Sequence, residues 1–227
     1  MRKEQIPKFK KQVDAAMIGY LNLLERKELL SVSIDFHESL VRLEPMVQRS
    51  ILVIQDTMYA SLIVETHAWL FDKSKKSSNL SLSQLLNLLV DGNFNLKHLL
   101  EEYVKPPKTI VLSGQGESWQ DRFIEGRKLE FNQSFSDCVT CINELLSSGL
   151  VDRVKLLRDG MLAHKDGNYD MTGNGNTIQD IFSLLSHMKA ILVSLNKLLQ
   201  RISYPISESE KSAKESAERF WNQLART

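Results

Sequence analysis

The sequence of 227 residues has little of what marks secreted or polybasic proteins. Its two cysteines cannot form the disulfide framework of a small secreted domain, and no basic segment followed by an apolar run opens the chain. The 29 Lys and Arg side chains balance 28 Asp and Glu side chains, which argues against a protein that binds nucleic acid through its overall charge. We therefore expect a cytoplasmic protein in which any nucleic-acid site is local.

Signals for β-strands and for transmembrane helices are also scarce. Only Thr109–Leu112, which lies between prolines and a glycine, has the composition of a short extended segment. The longest apolar stretch, Val47–Phe71, contains Arg49, Asp56 and Glu65, whose charges are costly inside a bilayer. This stretch therefore indicates a buried helix, and we expect no contact with a membrane.

The rest of the chain, which is 42% hydrophobic and 25% charged overall, has the spacing of amphipathic helices. A chain of this length buries enough surface to stabilise one core without disulfides or metals. The predicted fold class is all-α, a helical bundle of about four or five core helices with short extra helices. We assign residues 1–204 to this bundle and residues 205–227 to a charged C-terminal helix that packs on it or extends from it.

Prolines, glycines and capping residues predict where helices begin and end. Pro45 breaks the apolar pattern of residues 34–71, Gly149 ends a long helix, and residues 105–118 between them are predicted to form a flap. One apolar stripe predicts that the longest core helix follows Pro45: Val47, Ile51, Ile54, Met58 and Leu62. Two pairs have the spacing of a capping box at a helix start: Ser81 with Gln84, and Ser207 with Glu210.

Residues that bind metals or act as nucleophiles are few and scattered. Cys138 and Cys141 lie on adjacent turns of a predicted helix, but no second pair of ligands completes a four-ligand zinc site. Their burial as small hydrophobic residues is the better interpretation. Four histidines occur singly on amphipathic segments and are interpreted as packing or hydrogen-bonded residues: His37, His67, His98 and His187. We therefore predict no metal and no cofactor.

The remaining candidate is an arginine and a histidine six residues apart, Arg158 and His164. By spacing alone such a pair is a weak signal, because chance supplies one in many chains of this composition. His164 also continues an apolar stripe and would pack at the end of its helix: Leu150, Val154, Leu157 and Met161. From these residues alone, a packed histidine is the favoured interpretation.

Four separated segments of the sequence favour the functional interpretation of Arg158 and His164 instead. Residues 158–166 resemble the Arg, polar residue, spacer and Ala-His signature of the HEPN superfamily of helical proteins. Upstream, residues 48–52, 69–73 and 80–89 look like the abortive-infection AbiU-type branch of that superfamily. The resemblance covers residues 40–202, so the first and the last predicted helices lie outside it.

The resemblance implies metal-independent RNA cleavage at a site shared by two copies of the chain. Arg158 and His164 are then the catalytic residues, with Asp159 and Lys165 supporting them. RNA is the implied substrate, the protein is a homodimer, and an antitoxin protein is a further possible partner. The chain lacks the Tyr two residues after His164 that is typical of the variant paired with nucleotidyltransferase antitoxins.

The chemistry of the two residues agrees with this implication. The unperturbed pKa of histidine, about 6.5, suits it to take a proton from a ribose 2′-OH, and a planar guanidinium binds two phosphorane oxygens. Six residues of ideal helix leave Arg158 and His164 about 120° apart in direction and about 9 Å apart along the axis. One helix does not bring them together, whereas a two-fold dimer would combine both residues of each copy.

Two other interpretations of the sequence stay open. The chain is alternatively a non-catalytic HEPN-fold module that binds RNA or a partner protein, because one fold hosts active and inactive members. A structural bundle without a ligand site is the third interpretation. The position of Arg158 and His164 distinguishes them: a shared open cleft favours catalysis, and a buried His164 favours packing.

Overall fold

The structure, a computed structural model, describes residues 6–36, 42–72, 81–84, 96–106, 117–163, 177–201 and 203–225. These residues form seven helices of eight residues or more, and no strand occurs among them. In chain order they are α1 (Ile6–Asp35), α2 (Pro45–Phe71), α3 (Leu96–Tyr103), α4 (Glu117–Ser147), α5 (Leu150–Ala163), α6 (Ile178–Gln200) and α7 (Ile206–Leu224). The predicted all-α bundle is confirmed. The predicted extended segment Thr109–Leu112 and most of the predicted flap lie outside the described residues.

Helix α6 lies at the centre of the bundle, where it packs against α1, α2, α4 and α5. Eleven of its 23 residues are buried, so it contributes to the core along its whole length. It is also the one described helix that is long and apolar enough to span a membrane. Because its apolar side chains form the middle of the bundle core, packing accounts for its hydropathy without a membrane.

Several helix boundaries follow the capping residues of the sequence. The backbone N–H of Ser81 donates to Gln84 Oε1 at 3.1 Å, and the N–H of Gln84 donates back to Ser81 Oγ at 3.4 Å, which confirms that capping box. Gly149, with φ of +67°, lies between α4 and α5, where a residue with a side chain is disfavoured. A capping box that the sequence analysis missed, Thr177 with Asp180, starts α6.

Two predictions about helices are wrong. Helix α2 has 27 residues and is shorter than both α1 and α4, and Ile54 of its predicted stripe is 41% exposed. The stripe has the right period, but five of the six buried residues of α2 lie in its later half, from Leu62 to Leu70. The predicted capping box of Ser207 with Glu210 is absent, since no side chain caps α7. Glu210 instead accepts a hydrogen bond from Lys189 Nζ of α6 at 2.6 Å.

The charged C-terminal helix α7 packs along α1. Trp221 is fully buried, and its indole Nε1 donates to the backbone oxygen of Leu29 at 2.8 Å. Around it, Val32, Ile51 and Ala217 form a second apolar cluster, separate from the main core. The early part of α2 therefore packs on α1 and α7.

Helices α1 and α2 approach closely at Gly19. The indole of Trp69 lies directly against this glycine, so an added Cβ would overlap the ring. Gly126 in α4 has no such neighbour, because no heavy atom lies within 4 Å of the position that an added Cβ would take. The two helical glycines therefore differ in packing while sharing the same conformational freedom in the unfolded chain.

Gly19→Ala should lower the free energy of unfolding by about 1–3 kcal/mol relative to Gly126→Ala, since overpacking a core contact has about that cost. Alanine favours a helix over glycine by about 0.5–1 kcal/mol in both variants, so the difference between them isolates the contact with Trp69. Urea denaturation measures both values. Equal unfolding midpoints would contradict the close approach of α1 and α2.

Candidate active site around Arg158

Arg158 lies on the face of α5 that meets the end of α2. Val154, one turn before Arg158, lies on the same side of the helix, and it is buried in the core together with the neighbouring Leu157. Their burial holds α5 against α2 and α6, and it leaves the Arg158 side chain only 18% exposed. A cation at this depth requires partners, because burial of an unpaired charge is costly.

The guanidinium of Arg158 has three partners. Its Nη1 atom donates to His67 Nδ1 at 2.6 Å and to Asp72 Oδ1 at 2.9 Å. Its Nε and Nη2 atoms both donate to Asp159 Oδ1, at 2.9 and 2.6 Å. Four of its five N–H groups are therefore used by these side chains, and the plane of the guanidinium is fixed.

His67 is the buried member of this group, with 4% of its surface exposed. It lies in the last turns of α2, where its ring packs against that of Phe71 with 5.4 Å between centroids. Burial lowers the pKa of His67, and the charge of Arg158 lowers it further, while Asp72 opposes both effects. The ring is thus neutral at pH 7, with Nδ1 unprotonated and accepting from Arg158, since arginine keeps its protons.

The two carboxylates are the exposed members of the group. Asp72, the residue that ends α2, and Asp159, the neighbour of Arg158, have side chains that are 56% and 50% exposed. The hydrogen bond from Arg158 lowers the pKa of Asp159, so this carboxylate is ionised at neutral pH. With neutral His67, one cation faces two anions, and the group has a net charge of −1.

The structure describes two of the four predicted site residues. Arg158 and Asp159 lie side by side as the motif predicts. His164 and Lys165 follow the last residue of α5 and lie outside the described residues, so their roles stay predictions.

Sequence reasoning missed two members of the group. His67 was interpreted only as a packing or hydrogen-bonded residue, and Asp72 was not singled out although it lies in the segment 69–73 that carries the family resemblance. Their contacts with Arg158 span 91 and 86 positions, a separation that no local pattern reveals. The one available signal was the presence of a histidine and an aspartate together at the end of a helix.

The cysteines lie apart from this group. Cys138 is buried in the main core, and burial raises the pKa of its thiol to about 12. A thiol held protonated in this way packs as a small hydrophobic residue, as predicted. Among the residues that the structure describes, no cluster of three His, Cys, Asp or Glu side chains is arranged to hold a metal ion.

A family model matches most of the chain. The model of the HEPN family described as AbiU2 matches residues 6–220. This match includes α1 and most of α7, so it extends beyond the residues 40–202 over which the resemblance was recognised. No curated protein and no solved structure matches the chain.

The neutral, buried state of His67 should make folding stability depend on pH. The pKa of His67 in the folded protein is below the unfolded value of 6.5, so protonation of His67 favours the unfolded chain. The stabilisation that neutral His67 gives to the fold is therefore complete above pH 6.5 and is lost as the pH falls towards the folded pKa. His67→Asn, which does not titrate, should show a shallower loss of unfolding free energy over this range. Urea denaturation from about pH 8 to about pH 5 measures both profiles. Parallel profiles would show that His67 is not held neutral.

Proposed function

Because the chain belongs to the AbiU2 family of HEPN domains, we propose that it is a metal-independent endoribonuclease of an abortive-infection defence system. Arg158 and His164 are its catalytic residues, and two copies of the chain complete the site. Asp159 and Lys165 support them. RNA is the substrate, and an antitoxin protein that restrains the enzyme is a further proposed partner in the cytoplasm.

The observation that supports this proposal most directly is the fixed guanidinium of Arg158. It is held by His67 on its buried side and by Asp72 and Asp159 at its exposed side. A guanidinium in a fixed plane suits the recognition of two phosphate oxygens, and its permanent charge stabilises the negative charge that accumulates on the phosphorus oxygens during cleavage.

His164 follows Ala163, the last residue of α5, and is the proposed general base. It takes the proton of the ribose 2′-OH as the 2′-oxygen attacks the adjacent phosphorus, and the bond to the 5′-oxygen breaks. The products are a 2′,3′-cyclic phosphate end and a 5′-hydroxyl end, the latter protonated by a second histidine acting as acid. The second copy comes from the sequence-based expectation that Arg158 and His164 of one chain do not converge on one phosphate.

A second candidate function is a non-catalytic HEPN module that binds RNA or a partner protein. The observation in its favour is the same group, because two carboxylates already neutralise Arg158 as in a purely structural ion-pair network. The two functions differ in the outcome for RNA, which is cleaved by a nuclease and is bound without cleavage by a non-catalytic module.

Wild-type protein should cut RNA in excess EDTA and leave 2′,3′-cyclic phosphate ends. His164→Ala should reduce the rate by a factor of about 10² or more, the usual contribution of a positioned base. A base at the mouth of the proposed dimer cleft supports few packing contacts, so its loss should change the free energy of unfolding by less than about 1 kcal/mol. Cleavage of labelled RNA and urea denaturation measure the two effects.

Arg158→Lys keeps the charge and should also lower the cleavage rate, because lysine lacks the two-pronged contact. Matched controls are Arg153→Lys, on the same helix but paired with Asp180, and His98→Ala, an exposed histidine paired with Glu101. Both controls should cut at the wild-type rate. Two results together would overturn the catalytic assignment in favour of the binding module. They are a large loss of unfolding free energy in His164→Ala and a wild-type cleavage rate in Arg158→Lys.

A homodimer is the expected state in solution. Multi-angle light scattering at micromolar concentration should give twice the 26.0 kDa mass of one chain. Both copies of Arg158 and His164 should then become protected from chemical modification when RNA is added. A clean monomer that nevertheless cuts RNA would contradict the shared site while leaving the nuclease assignment intact.

A further inference from the structure

We infer that His67 is a positioning residue for Arg158 in the proposed nuclease site: it holds the guanidinium from the buried side while substrate phosphate replaces the exposed carboxylates. This inference rests on the proposed function, which assigns neither His67 nor Asp72 a role. It is carried by the contact of Arg158 Nη1 with His67 Nδ1 at 2.6 Å and by the contrast in exposure among the partners of Arg158.

Substrate phosphate can displace the exposed partners of Arg158 but not His67. A guanidinium binds phosphate through two neighbouring N–H groups, and four of the five in Arg158 already donate to described side chains. Asp72 and Asp159 are half exposed, so they can turn into water when a phosphate takes their place. His67 is 4% exposed and packed against Phe71, so it stays in place.

The partners of Arg158 differ in charge. A neutral imidazole accepts a hydrogen bond from the guanidinium without cancelling its positive charge, whereas each carboxylate cancels one unit. After displacement of the carboxylates, Arg158 therefore presents its full charge to RNA and is still oriented by His67. A long, flexible side chain without such an anchor would lose much of its binding energy to ordering.

The positioning role requires His67 to be neutral. The charged groups that act on His67 are Asp72, at the end of its own helix, and Arg158 and Asp159 of α5. A proton on Nδ1 would remove the acceptor and place a second cation against Arg158, with Asp72 Oδ1 as the new partner, 3.4 Å from Nδ1. Positioning therefore works only with neutral His67, which burial favours.

The test compares two substitutions of His67 with a matched control. His67→Asn keeps an acceptor oxygen near the position of Nδ1, whereas His67→Leu keeps a similar volume and has no acceptor. His98→Asn removes an exposed histidine elsewhere and should leave cleavage unchanged. His67→Leu should lower kcat by a factor of about 10² with little change in KM, the size of effect expected from a misplaced catalytic group.

His67→Asn should recover most of that rate and should also alter the pH profile. At acid pH, kcat/KM falls when His164 is protonated and falls further when His67 is protonated. The slope of log kcat/KM against pH on the acid side should therefore be smaller by one in His67→Asn. Cleavage by His67→Leu at the wild-type rate, or an unchanged slope in His67→Asn, would overturn the positioning role. The pH profile of His67→Asn tests the positioning role even where His67→Leu does not fold.

Nitrogen-15 spectra of the arginine side chains separate this inference from the nuclease proposal. The Nη protons of Arg158 should exchange slowly in wild type and His67→Asn, and rapidly in His67→Leu. A wild type that cuts no RNA would overturn the proposed nuclease, while the spectra would still report the contact of Arg158 with His67. A wild type that cuts RNA, with fast exchange in all three proteins, would instead overturn only the positioning role.

Discussion

The bundle depends on the burial of α6. Four helices pack around it, and eleven of its residues are buried, from Ile181 at one end to Leu199 at the other. A helix covered on so many sides sets the places of its neighbours, because protein cores are packed densely and tolerate little displacement. Asp180, in the first turn of α6, also holds α5 through a contact of 2.9 Å with Arg153. Burial alone would raise the pKa of Asp180, but hydrogen bonds from Thr177 and Arg153 lower it, so the carboxylate stays charged at this junction.

The place of Arg158 follows from that packing. Val154 and Leu157 anchor α5 in the core, and the same helix face then brings Arg158 to the end of α2. Helix α2 ends one residue before Asp72, with His67 one turn earlier on its buried side. The group around Arg158 is therefore a consequence of where two helices meet.

The sequence predicted features that depend on neighbours along the chain. It did not predict features that depend on contacts between helices distant in the sequence. The period of α6, the capping box at Ser81 and the turn at Gly149 are local, and all three occur as predicted. Ile54 has the same spacing as Leu62 but is exposed, because a period shows which side of a helix is apolar and not how far another helix covers it. Arg158 and Asp159 are neighbours in a short segment that carries the family resemblance, whereas His67 is joined to them only by folding.

The carboxylates beside Arg158 also bear on how such a site discriminates between ground state and transition state. The chain has a net charge of only +1 and the group around Arg158 has −1, so long-range attraction of RNA does not come from this site. A phosphodiester has one negative charge, whereas the two carboxylates that it would displace have one each, so the exchange in the ground state gains little. The phosphorane accumulates more charge on its oxygens, so the same guanidinium stabilises it more strongly than either carboxylate or substrate. In the proposed reaction the resident carboxylates thus weaken the binding of substrate and transition state alike, and the difference between the two, which sets kcat, is unchanged.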